Sequence, residues 1–153
     1  MADKVRIGIV VSEFNSEITG QMLKNAQAHA RRLEAEVTYI CKVSGAFDMP
    51  LMIQALLEKE DVDAVAMLGA IVKGETKHDE IIAHGLVNTA CSLAMRYEKP
   101  VTLGVSGPGM TWKQGLARAD EYARRSIEAA VNMTSRFKQA KSVKPSRYPC
   151  IIE

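Results

Sequence analysis

Aromatic residues are scarce in this chain, at 5% of the total, and its charges nearly cancel, with 20 Lys and Arg against 18 Asp and Glu for a net +2. A protein that grips nucleic acid needs a basic face and rings to stack on bases, so this balance argues against nucleic acid as a partner. Cysteine is scarce too. Cys41, Cys91 and Cys150 are odd in number, with no CxxC pair and no His-rich spacing, so they imply neither a disulfide framework nor a zinc site. A reducing cytoplasm suits them best. No apolar run reaches the ~18 residues that a membrane span needs. Met1-Ala2-Asp3-Lys4 leads straight into a strand pattern, without a charged-then-apolar leader. The turn after the first strand, SEFNSE, lacks GxGxxG, and neither a Walker A loop nor a GxSxG elbow occurs, so dinucleotide, P-loop and serine-hydrolase chemistry have no motif to stand on.

What is present is a core and a rhythm. At 153 residues and 47% hydrophobic, the chain suits one compact domain. Val5 to Val11 reads as a first strand, and a helix from about Ser16 places Ile18, Met22, Ala26 and His29 or Ala30 near one face. Glu36 to Lys42 is a second strand, followed by a loop, Val43 to Asp48, and a helix with Pro50 in its first turn and Leu51, Ala55 and Leu56 inward. Ala64 to Val72 is a third strand, its helix runs to about Met95, and Val101 to Val105 is a fourth strand closed by the loop Ser106-Gly107-Pro108-Gly109-Met110. From Thr111 the pattern is helical to about Phe137, with a bend expected near Ala123 to Ser126. The basic, Pro-interrupted segment from Lys138 to Glu153 is expected to be a poorly ordered tail on a domain spanning residues 1–137. Strand followed by helix, four times, predicts an α/β fold: a four-stranded parallel sheet with helices on both faces.

In such sheets ligands bind beyond the carboxyl ends of the strands. That face collects Phe14, Phe47, Asp48, Glu75, His78 and the SGPG loop. The stretch Gly69 to Asp79, GAIVKGETKHD, is the densest in chemistry. A strand buried on both faces ends at Val72, Gly74 breaks the run, and Thr76 with Asp79 three residues on reads as the N-cap of a new helix. The first amides of that helix lack intrahelical partners, which makes Glu75-Thr76-Lys77 a candidate anion seat. His78 beside it can change charge near neutral pH, as acid–base chemistry on a phosphorylated substrate requires. His78 and His84 stand six apart, whereas a helical zinc pair wants a spacing of about four, so no metal site is expected. Phe14 and Phe47 read equally as core staples or as platforms for a planar ring, and Arg118 as a solvated helix residue or a phosphate clamp.

Taken together, FNSEIT after the first strand, SGAFDMP after the second, GAIVKGETKH after the third and PVTLGVSGPG through the fourth resemble the 6,7-dimethyl-8-ribityllumazine synthases, over about Val5 to Phe137. The GPGMT loop looks like the archaeal-type branch. The resemblance implies a single flavodoxin-like domain and a cytoplasmic transferase of riboflavin biosynthesis, without metal or organic cofactor. Its two small-molecule substrates would be 5-amino-6-(D-ribitylamino)uracil and 3,4-dihydroxy-2-butanone 4-phosphate. Position by position, it implies that Phe14 stacks on the pyrimidine, that Ala46-Phe47-Asp48 and Ala70-Ile71-Val72 line the pyrimidine and ribityl site, and that Glu75-Thr76 seat the phosphate. Arg118 would clamp that phosphate, His78 would move protons, and Leu103 would stand where many relatives have Phe. It implies further that the site lies between subunits of a homo-oligomer, commonly a pentamer and in some members a sixty-subunit shell, with Leu103 and Arg118 offered by the neighbour. Ser44 departs from the family's frequent Pro, Asp48 from Glu and Lys73 from Arg, and the spacing after Arg118 leaves Arg124 and Arg125 without a role. The alternatives are an archaeal-type riboflavin synthase and a non-catalytic flavin-binding or shell protein of the same fold. Intact GETKH and SGAFD favour the first reading.

Overall fold

The computed structural model describes residues 3–153. Its elements are β1 (Arg6–Ser12), α1 (Ser16–Arg32), β2 (Glu36–Val43), a single 3-10 turn (Ala46–Asp48), α2 (Met49–Leu57), β3 (Ala64–Val72), α3 (His78–Tyr97), β4 (Val101–Met110) and α4 (Trp112–Ser142). The four strands form one parallel sheet in the order β2-β1-β3-β4. This is the expected flavodoxin-like α/β arrangement. β3 lies inside the sheet with every residue but Val72 buried, which is why its sequence runs apolar without alternation.

The core has two layers. On one face Ile18, Met22, Ala26 and Ala30 of α1 and Ala119, Ala123, Ile127 and Ala130 of α4 pack on Ile7, Ile9, Ala66 and Leu68. On the other, Met49, Ile53 and Leu56 of α2 and Ala83, Leu86 and Ala90 of α3 pack on Val10, Val65 and Met67. Gly104 lets α4 come close: a Cβ there would lie 2.5 Å from the Met67 carbonyl oxygen and 3.0 Å from Ser126 Cβ. The buried hydroxyls of Thr102 and Ser126 hydrogen-bond at 3.0 Å across the same contact.

Four local expectations are corrected. The inward stripe of α2 is Met49, Ile53, Leu56 and Leu57, whose helical spacing turns Leu51, 76% exposed, and Ala55 outward. The SGPGM segment does not close β4 but continues it to Met110: Gly107 and Gly109 take positive φ angles and the register against β3 shifts after Ala70. Glycine makes that path available at no side-chain cost. Third, α4 is unbroken through Ala123 to Ser126, residues its core contacts and the Thr102 bond hold in place. Finally, α4 reaches Ser142 rather than ending at Phe137, through the good helix formers Lys138, Gln139, Ala140 and Lys141, with Lys141 paired to Glu98 at 3.0 Å. Beyond it, residues 143–153 carry neither helix nor strand. Among the described residues no helix is long and apolar enough to cross a membrane.

Candidate active site

The carboxyl ends of β1, β2 and β3 are tied together by their own backbone. Glu13 N–H donates to the Val43 carbonyl at 2.7 Å and Phe14 N–H to the Ser44 carbonyl at 3.0 Å, which fastens the loop after β1 to the end of β2. Asn15 fastens it to β3. Asn15 precedes α1 in a left-handed conformation (φ 59°), yet its side chain does not cap that helix; Nδ2 donates instead to the Ala70 carbonyl at 2.9 Å. β1 pairs with β3 only as far as Leu68, so Asn15 serves a carbonyl past the end of the ladder. On the far side, Asp48 Oδ2 accepts from Gly45 N–H at 3.0 Å and closes the turn that carries Phe47.

These ties leave Phe14 and Phe47 standing out of the surface, 71% and 77% exposed. Neither ring packs into the core, so neither is a core staple. Between them lies a hollow of about 310 Å³. Phe14, Ala46, Phe47, Ala70, Ile71, Val72, Thr76 and His78 all line it. Eight residues chosen from three separate sequence segments thus meet at one place.

The other four lie outside that lining. Asp48 and Glu75 belong to the bordering loops and are exposed. Leu103, half exposed on β4, lines an adjoining hollow of about 200 Å³ with His84, Val87 and Pro108, the two hollows sharing Ile71. Arg118 is exposed on α4, which packs on the face of the sheet opposite α3. One chain therefore places the imidazole hollow, the leucine beside it and the guanidinium across the sheet at three different positions.

The start of α3 also differs from expectation. The helix begins at His78 with Lys77 at the cap position and no side-chain cap, so Thr76 and Asp79 do not form a capping box. Asp79, 7% exposed, gives its Oδ2 to Gly109 N–H of β4 at 2.8 Å. Thr76 is left free on the wall of the hollow. The sequence reading passed over Asp79, Asn15 and Ser12 as wall or support residues. Asp79 carried a signal, its spacing from Thr76, and it pointed to the wrong partner.

A larger hollow, about 460 Å³, lies at the amino end of β4 among Met95, Pro100, Met133 and Phe137. Its cation, Lys99, is engaged by the Leu57 and Lys59 carbonyls at the end of α2, so this apolar space offers nothing to hold a phosphate.

Known proteins similar to this chain share one family. The family described as 6,7-dimethyl-8-ribityllumazine synthase matches residues 4–138. The chain is similar to the 6,7-dimethyl-8-ribityllumazine synthase of Saccharolobus solfataricus, with 48% identity over 149 residues and 97% of each chain covered. It is 52% identical over 134 residues to that of Methanocaldococcus jannaschii, covering 88% of this chain and 94% of the relative. For that of Pyrobaculum arsenaticum the identity is 47% over 140 residues, 92% and 93% covered.

Proposed function

The chain belongs to the 6,7-dimethyl-8-ribityllumazine synthase family, and from that premise we propose how its residues divide the work. The reaction condenses 5-amino-6-(D-ribitylamino)uracil with 3,4-dihydroxy-2-butanone 4-phosphate, giving the lumazine, phosphate and water. The pyrimidine stacks on Phe14 and is bordered by Ala46, Phe47 and the Ala70-Ile71-Val72 strand end, with Asp48 at the ribityl hydroxyls. The phosphate sits on the amides of Glu75 and Thr76, in the loop just ahead of α3, toward which the positive end of that helix's dipole points. His78, in the first turn of that helix, stands between the two.

The chemistry needs little more. The 5-amino nitrogen attacks the ketone carbon, and loss of water leaves an imine. A proton leaves the adjacent carbon, the C–O bond to phosphate breaks, and the resulting enol tautomerises to a ketone. The ribitylamino nitrogen closes the second ring on that ketone, with loss of a second water. His78 carries protons in these steps, and much of the acceleration comes from holding amine and ketone in register. Arg118 makes the bidentate clamp on phosphate, and Leu103 closes the far side of the pyrimidine site. Both come from a neighbouring subunit of a homo-oligomer, with the pentamer as the family's common unit. What supports this is the position of Arg118 within one chain, on α4 across the sheet from α3 and the hollow, with Leu103 outside the hollow's lining.

The observation that carries the reading is the hollow that joins two exposed phenyl rings to an imidazole at a helix start. His78→Ala tests it: kcat is expected to fall by ~10²- to 10⁴-fold with KM for the phosphorylated substrate little changed. A raised KM at unchanged kcat would show that His78 binds and does not move protons.

A further inference from the structure

The loop that carries the proposed anion seat, Lys73 to Lys77, is closed at both ends by two consecutive residues of β4. At its start Lys73 N–H donates to the Met110 carbonyl at 2.8 Å, extending the Val72–Met110 pairing. Just past its end, Asp79 Oδ2 accepts from Gly109 N–H at 2.8 Å. The first tie is ordinary strand continuation. The second spends a carboxylate.

Asp79 is 7% exposed, and burying a carboxylate is costly unless it is hydrogen-bonded. A carboxylate in a helix's first turn usually serves that helix's own amides. This one reaches thirty residues along the chain instead. Its target needs fixing, because Gly109 sits at φ 73° in the segment where β4 changes register, and no atom of the chain lies within 4 Å of where a Cβ would stand. Asp79 also stands beside His78 in sequence and lines the same hollow, so its bond anchors the helix turn that carries the imidazole.

We propose that Asp79 is a positioning residue: its bond to Gly109 N–H closes the Lys73–Lys77 loop and so fixes the phosphate-binding amides and the first turn of α3. The inference rests on the anion-seat reading and adds to it the group that shapes the seat. The acceptor oxygen matters here, not the charge, since a negative charge beside a phosphate repels it. Asn keeps the acceptor; Ala removes it.

The test is calorimetric titration of inorganic phosphate into the assembled wild-type, Asp79→Asn and Asp79→Ala proteins, with steady-state kinetics on the same preparations. Asp79→Ala is expected to weaken phosphate binding and to raise KM for the butanone phosphate by about tenfold, with a smaller change in kcat, while Asp79→Asn stays within about threefold of wild type. A merely structural role would lower Tm and leave phosphate affinity and KM of the folded protein as they were, and that result overturns the proposal. Equal weakening in both variants also overturns it, because the charge would then be the active element. Absence of phosphate binding by the wild type would refute the seat itself, a different failure. Should Asp79→Ala not fold, hydrogen exchange on the wild type decides: phosphate is expected to slow exchange at the amides of both Lys73 and Gly109, and no slowing at Gly109 rejects the coupling.

Discussion

Two inactive variants should restore each other. His78→Ala leaves the hollow without its imidazole, and Arg118→Ala removes the phosphate clamp. Within one chain these residues lie on opposite faces of the sheet, His78 starting α3 and Arg118 on α4. If each site joins the hollow of one subunit to the guanidinium of the next, it is intact only where an Arg118→Ala subunit supplies the hollow and a His78→Ala subunit supplies the arginine. Random co-assembly at equal amounts meets each condition half the time, so about a quarter of the sites, and about a quarter of wild-type activity, should return in a closed ring. The parents alone keep only the residual rate, lower by ~10²-fold or more. The assay is lumazine absorbance after co-expression or joint refolding, with the unmixed parents alongside. Activity of the mixture equal to the mean of the two parents, with mixed oligomers confirmed by mass, would refute the reasoning and place the whole site in one chain.

Three further outcomes follow from individual contacts. Phe14→Ala removes an exposed ring with no core role, so KM for the pyrimidine substrate should rise about tenfold at unchanged Tm; a lower Tm would return Phe14 to structure. Gly104→Ala drives a methyl to within 2.5 Å of the Met67 carbonyl and 3.0 Å of Ser126, and should cost about 3 kcal/mol in denaturant unfolding, where a change under about 1 would mean that α4 can shift. Burial raises the Asp63 carboxyl, but the Arg6 side chain and backbone N–H, with Lys138, outweigh it and hold the group below the usual carboxylate range. A depressed carboxyl adds stability above its unfolded value of about 3.9 and loses it as pH falls through the folded one, so the Tm gap between wild type and Asp63→Asn should be widest near neutrality and close below about pH 4. A gap independent of pH would contradict this.

The fold was legible because its signals are local. A nine-residue apolar run, Ala64 to Val72, can only be an inner strand here, and strand–helix alternation does the rest. Eight candidate residues meet in the hollow because loops after parallel strands all open on one face. What escaped the sequence was every bond made across the chain. Asp79 read as a cap because Thr76 stands three residues before it; its partner Gly109 is thirty residues away and leaves no local trace. Asn15 stands in the loop before α1, and nothing near it in sequence shows that its amide serves β3. The SGPGM segment read as a turn, since two glycines and a proline normally end a strand, yet pairing with β3 carries it on to Met110. Leu51 was placed inward by counting from the wrong residue of a short helix.

The most direct test of the account is lumazine formation by the purified protein from both substrates in phosphate-free buffer, measured against the spontaneous reaction, with Arg118→Ala beside the wild type. The account expects clear acceleration by the wild type and its loss in the variant, with the oligomer intact in both. An assembled wild-type protein that forms lumazine no faster than the background would contradict it.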